Sequence, residues 1–144
     1  MTTQPGLAAA HPGIAAYALQ QGLDASAFRT DGRLTLRVDG RYRVHLRRVA
    51  NGRIAITARL MSLNEHSAAA AEELLLRLSA MGAGLLRAHD SGLCIDEVEQ
   101  ALQLQLQLPA DTDGERLEAE MERYLNALTF WTRACAAEPS GVRA

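Results

Sequence analysis

The most regular pattern in the chain is QALQLQLQLP, Gln100 to Pro109, where leucine and glutamine alternate without interruption. A helix built from this run would scatter Leu102, Leu104, Leu106 and Leu108 around its circumference. A strand puts all four on one side and Gln103, Gln105 and Gln107 on the other. Burying a leucine is worth roughly 1.5–3 kcal/mol, whereas the helix propensity forgone is only tenths of that unit per residue. The pattern predicts a strand.

The same alternation recurs between Leu34 and Leu60. Leu34, Leu36 and Val38 form one run, Tyr42, Val44 and Leu46 a second, and Ile54, Ile56, Ala58 and Leu60 a third. Asp39-Gly40 and Asn51-Gly52 separate them, and such pairs between alternating runs signal hairpins. Parity fails after Leu46, which would put Arg48 on the apolar side; a four- or five-residue loop or a bulge near Arg48 to Ala50 repairs it. Leu93 to Val98 supplies a short strand to pair with Leu102 to Leu108.

Three stretches carry helical spacing instead. Pro12 to Gln21 places Ile14, Tyr17 and Ala18 on one face, with Pro12 suited to a first turn and Gly22 to a C-terminal cap. Ser67 opens AAAAEELLLRLSAM, with Leu74, Leu75, Leu78 and Met81 on one stripe and Gly82 and Gly84 ending or bending the helix. The last helix runs from about Asp113 to Ala136, with Leu117, Met121, Tyr124, Leu125, Leu128 and Trp131 on one face and Glu115, Glu118 and Glu122 elsewhere. Asp111 or Thr112 suits its cap and Pro139 its end. The expected architecture is an α+β fold, a five-stranded antiparallel sheet with three helices in the order α-β-β-β-α-β-β-α. With 144 residues, 48% of them hydrophobic, a single domain spanning 1–144 is expected, its ordered core at about 12–137 and its termini flexible.

Charge changes this picture more than composition does. The net charge is −2, but every cation is an arginine, and nine arginines against Asp31 and Asp39 give Arg29 to Arg59 a charge of +7, leaving −9 for the remainder. With Leu34, Tyr42 and Ile54 inward, Arg33, Arg37, Arg41, Arg43, Arg47, Arg53 and Arg59 fall on the opposite sheet face with His45 and Thr57. Such a face suits phosphate or carboxylate, or is simply a solvated surface. It lacks aromatic side chains to stack on bases, so nucleic acid is not the expected partner.

Motifs for catalysis are absent. His11, His45, His66 and His89 are dispersed, no metal-binding or nucleophile spacing occurs, and Gly82-Ala-Gly84 follows a helix where a phosphate-cradling loop would precede one. Asp96 and Glu97 are neighbours on opposite faces of a strand, so their spacing makes no acid/base dyad. Cys94 and Cys135 are isolated thiols, read as small buried hydrophobes. No catalytic, cofactor-binding or metal-binding residue is assigned, and no cofactor is expected. The start MTTQPGLAAAHPG lacks the basic, then apolar, form of a secretory signal, and no apolar run is long enough to cross a bilayer, so a cytoplasmic location is expected. The leucines of the second helix, Leu74, Leu75, Leu76 and Leu78, exceed a normal stripe width. They fit either packing between sheet and terminal helix or a homodimer interface.

The order of elements, together with QQGLD before the meander, DGRLTLRVDGRYRVHL, ARLMSL leading into AEELLLRLSAM, GLCID, ALQLQLQLP and FW near the end of the last helix, resembles the class I type III secretion chaperones of the Tir-chaperone (CesT) family. The resemblance covers about Ile14 to Ala136. It implies a small cytoplasmic homodimer, without enzymatic activity or nucleotide, that holds the N-terminal region of a secreted effector soluble and export-competent, partly by strand addition. It implies dimer contacts at Leu74, Leu75, Leu78 and Met81 and effector contacts at Ile14, Tyr17 and Leu19, to which the sheet face adds Arg37, Arg43 and Arg47. Two departures stand out: a pI near 6.1, where the family is typically more acidic, and the dense arginine face. Two other readings remain, a small-ligand-binding or sensor domain and a nucleic-acid-binding regulator that uses the arginine face.

Overall fold

The leucine–glutamine run is a strand from Ala101 to Leu108, with all four leucines buried, Gln103 and Gln105 half-buried and Gln107 exposed. It is one of nine α-helices and strands among the described residues of a computed structural model, which are 5–63, 67–81, 92–96 and 98–137. In chain order these are α1 (Pro5–Ala9), α2 (Pro12–Gln20), β1 (Leu34–Val38), β2 (Tyr42–Arg48), β3 (Ile54–Ser62), α3 (Ala68–Met81), β4 (Gly92–Asp96), β5 (Ala101–Leu108) and α4 (Gly114–Ala137). The predicted order is present, preceded by α1, whose five residues are too short to print a helical period. The strands form one sheet in the order β1-β2-β3-β5-β4, with β1–β2 and β4–β5 antiparallel.

The turns follow from their residues. Asp39 and Gly40 both have positive φ, 55° and 66°, and the Arg41 amide closes the turn on the Val38 carbonyl at 3.0 Å. Glycine takes this conformation without strain and aspartate tolerates it better than most residues. The parity problem at Arg48 is solved by a short 3-10 turn at Ala50–Gly52, where Val49 and Arg53 hydrogen-bond at 2.8 Å. Arg48 itself is exposed, and its guanidinium donates to the Ala10 carbonyl at 3.4 Å. Strand β4 ends at Asp96, two residues before the expected Val98, because the Asp96 carboxylate accepts the amides of Val98 and Glu99 and folds the chain into a turn.

Caps fix the helix ends. The His11 ring accepts the Gly13 amide through Nδ1 at 2.9 Å, which leaves Nε2 to donate to the Ala110 carbonyl at 2.6 Å. Helix α2 ends as expected before Gly22, with Leu23 and Gly22 amides returning to Ala18 and Leu19 carbonyls. The cap of α4 is Asp113, whose carboxylate accepts the Arg116 amide at 2.8 Å. Neither expected candidate caps it, since the Thr112 hydroxyl is already donated to the Pro109 carbonyl at 2.8 Å and Asp111 lies one residue further out. The expected roles of Gly82, Gly84 and Pro139 lie outside the described residues.

Packing divides into two compact units, with β3, β5 and α4 running through both. The described residues of the first are 5–57 and 106–122; those of the second are 58–63, 67–81, 92–96, 98–105 and 123–137. In the first, Ile14, Tyr17, Leu34, Val44, Leu46, Ile54, Ile56, Leu106, Leu108, Leu117 and Met121 are buried. In the second, Leu63, Leu74, Leu78, Leu102, Leu104, Tyr124, Leu128 and Trp131 are buried, and the Tyr124 hydroxyl donates to the Leu104 carbonyl at 2.7 Å.

Burial raises the phenol pKa of Tyr124, with a smaller push from Cys94, and raises that of Tyr17, with a smaller push from Glu118. Both start from an ordinary value of 10.0. Below that value folded and unfolded chains carry the same phenol protons; above it the unfolded chain loses protons that the folded chain keeps, so stability falls as pH rises. The melting temperature is therefore expected to drop on going from about pH 9 to about pH 11, and Tyr124→Phe is expected to flatten that drop while lowering stability at neutral pH through loss of the buried hydrogen bond to the Leu104 carbonyl. A pH series of thermal melts reads both effects.

Candidate functional site

Helix α2 was expected to offer Ile14, Tyr17 and Leu19 to a partner. The structure separates them. Ile14 is 0% exposed and Tyr17 6%, whereas Leu19 is 76% exposed. The cause is close backbone approach: a Cβ on Gly13 would lie 2.2 Å from the Thr112 carbonyl oxygen, and one on Gly114 would lie 2.8 Å from Ala16 Cβ. Two side-chain-free positions let α2 seat against the start of α4, which buries Ile14 and Tyr17 in the chain's own core. This corrects the surface reading for these two residues. Leu19 remains at the open end of α2, and Leu36, Val38 and Tyr42 are half-exposed at the β1–β2 hairpin end. Those three were assigned to the dry face in the sequence; their incomplete cover follows from their place beside an exposed turn, which alternation does not encode.

Helix α3 likewise splits. Leu74 and Leu78, one turn apart, are buried within the chain, Leu75 is half-exposed and Leu76 is 67% exposed. Met81 ends the helix, and its side chain lies outside the described residues. Leu74 and Leu78 therefore cannot present a surface to a second copy without unpacking, and the exposed apolar position is Leu76. The signal for it was in the sequence, in the excess width of the leucine cluster.

The arginine face is formed as predicted on the β1–β2 hairpin. Arg37 and Arg43 stand directly opposite one another in the register, and the next pair on that face, Thr35 and His45, is joined between Oγ1 and Nδ1 at 2.9 Å. Arg47 follows on the same side of β2. Arg37, Arg43 and Arg47 are exposed, and none has an ion pair among the described residues. The remaining predicted members are engaged or differently placed: the Arg41 guanidinium lies 5.3 Å from the Tyr42 ring centre, Arg53 donates to Gln107 at 3.3 Å, and Arg59 pairs with Glu99 at 2.7 Å. Arg33 is half-buried with its Nε unpartnered.

Titratable chemistry is sparse. Burial, and then Asp96, push the Cys94 thiol up, which makes it a poor nucleophile, and its sulfur faces the Gln105 side-chain oxygen at 3.3 Å. Asp24 is held below the usual carboxylate range by the Ser26 hydroxyl and amide, a surface turn. Among the described residues no group of three or more His, Cys, Asp or Glu is placed to hold a metal ion, and no helix is long and apolar enough to cross a membrane.

The sequence profile described as the Tir chaperone protein (CesT) family matches residues 14–132, from α2 through most of α4. The chain belongs to the Tir chaperone (CesT) family. No curated protein matches it by sequence. Solved structures share the CesT-type fold. The ExsC-ExsE complex matches at TM-score 0.62 and 24% identity, over 81% of this chain and 86% of that one. The HopA1-SchA chaperone-effector complex matches at 0.63 and 16%, over 92% and 98%. The Yersinia pestis type III secretion chaperone SycH, in complex with a stable fragment of YscM2, matches at 0.55 and 18%, over 80% and 92%. For this CesT-family chain, the two-hairpin sheet with α2, α3 and α4 is thus a chaperone-family architecture.

Proposed function

We propose that this chain is a type III secretion chaperone that binds the N-terminal region of a secreted effector and keeps it soluble and export-competent. The observation that carries this reading is the family match across residues 14–132, supported by similar folds solved as chaperone complexes. The protein acts as a single functional domain in the cytoplasm, without catalysis or cofactor, and works by holding an extended client. Such a client gains affinity from many shallow contacts spread along its length, including strand addition to a sheet end such as β1 or β4. Leu19 and the half-exposed Leu36, Val38 and Tyr42 supply apolar contact. The working form is a homodimer joined through α3, with Leu76 and Leu75 as the apolar contacts.

Co-expression of the tagged chain with candidate secreted proteins, followed by mass spectrometry of what co-purifies, tests the proposal. The expected result is stoichiometric recovery of one client whose bound segment is the N-terminal region and is protease-sensitive once released. Recovery of no secreted protein from any candidate set, together with a ligand-dependent melting shift by a small molecule, would assign the fold to another task.

A further inference from the structure

We propose that the Arg37–Arg43–Arg47 face of the β1–β2 hairpin docks an acidic, extended segment of the client, an inference that rests on the chaperone reading above. Like charges set directly opposite on neighbouring strands repel, and the Arg37–Arg43 pair has this arrangement with no carboxylate paired to it among the described residues. The neighbouring Thr35–His45 pair is joined by a hydrogen bond, and Arg37, Arg43 and Arg47 are exposed on the same face. A bound carboxylate between Arg37 and Arg43 converts the repulsion into two charge-assisted contacts, and guanidinium is the group best shaped for that task. Arg47 lies four residues beyond Arg43 on β2, about 13–14 Å at roughly 3.4 Å per residue. An extended chain with acidic residues at i and i+4 matches that span. Among the described residues the hairpin face carries no Tyr, Trp or Phe on which bases could stack, because Tyr42 pairs with Val38 on the opposite side of the hairpin. A peptide, and not a nucleic acid, is the fitting partner.

The test uses the full chain and a fluorescein-labelled glycine-serine peptide carrying glutamates at i and i+4, followed by fluorescence anisotropy across a salt series. The wild type is expected to bind it, more weakly as salt rises. Replacing Arg37, Arg43 and Arg47 together by Gln is expected to weaken binding about tenfold or more, whereas the same charge change at Arg29, Arg116 and Arg133 is expected to leave most of it. Arg37→Glu places opposite charges across the hairpin, so it should abolish binding while raising the melting temperature by about 1–3 °C, which separates lost binding from lost fold. Failure of the wild type to bind the peptide, an equal loss in the control triple variant, or tighter binding of a single-stranded oligonucleotide of matched charge would each overturn the proposal. If the wild type still co-purifies with a secreted client while the peptide goes unbound, the acidic-segment inference fails and the chaperone reading stands. If no client co-purifies, the chaperone reading itself fails.

Discussion

Leu78→Asp is expected to abolish the cooperative thermal transition of the protein, and Leu76→Asp, two residues away on the same helix, is expected to leave that transition intact while halving the mass in solution. Leu78 is 0% exposed within the chain alone, so an aspartate there either buries an unpaired carboxylate or forces α3 off its seat. Either outcome costs several kcal/mol, a large part of the roughly 5–15 kcal/mol that holds a typical domain together. Leu76 has only 33% of its surface covered in the chain, so a carboxylate there stays hydrated in the monomer and is penalised only where a second copy would cover it. Circular dichroism melts and light scattering on a sizing column read the two effects separately. A folded, monomeric Leu78→Asp would move Leu78 to the subunit interface, and a dimeric Leu76→Asp would move the interface off this part of α3.

Why Leu78 is covered and Leu76 open, although both belong to one leucine cluster, shows what periodicity can and cannot carry. Alternation in β5 was decisive because period two permits one assignment: once Leu102, Leu104, Leu106 and Leu108 face inward, the glutamines have nowhere else to go. The hairpins were equally legible, since Asp39-Gly40 and Asn51-Gly52 supply the positive φ that their turns need. A helix with leucine at four of five consecutive positions has no such constraint. Leu74, Leu75, Leu76 and Leu78 span too much of the circumference for one face, and which of them is covered depends on where the rest of the chain lies. The same holds at the α4 cap, where Asp111, Thr112 and Asp113 are all competent and the Pro109 carbonyl decides by engaging Thr112. The family, by contrast, was legible from order and motif, because it depends on the sequence of elements and not on which side of each one is wet. The charged face was legible too: strand parity alone places Arg37, Arg43 and Arg47 together, although only the register shows the first two to be directly opposed.

The sharpest consequence falls on α2. Ile14→Asp is expected to unfold the first unit of the chain, and Leu19→Asp to fold normally and lose the client. Ile14 has no exposed surface, and its helix is clamped at both ends of the contact, by Gly13 against the Thr112 carbonyl and by Gly114 against Ala16 and the Tyr17 amide. The His11 ring ties the helix start to the Ala110 carbonyl as well. Nothing in such a seat can rotate to bring a carboxylate to water, so the substitution loses the transfer energy of the isoleucine and adds the cost of a buried polar group, several kcal/mol in all. Leu19 has three-quarters of its surface open at the far end of the same helix, and a change there should stay within about 0.5 kcal/mol of the parent stability. Its loss is expected to show only in the amount of client that co-purifies. Comparing melts with the amount of co-purified client separates the roles: Leu19→Asp should keep the melt and lose client, and Ile14→Asp should lose both. An Ile14→Asp protein that melts like the parent yet releases its client would return Ile14 to the binding surface. A Leu19→Asp protein with undiminished client would place the apolar contacts on the Leu36, Val38 and Tyr42 end of the first hairpin instead.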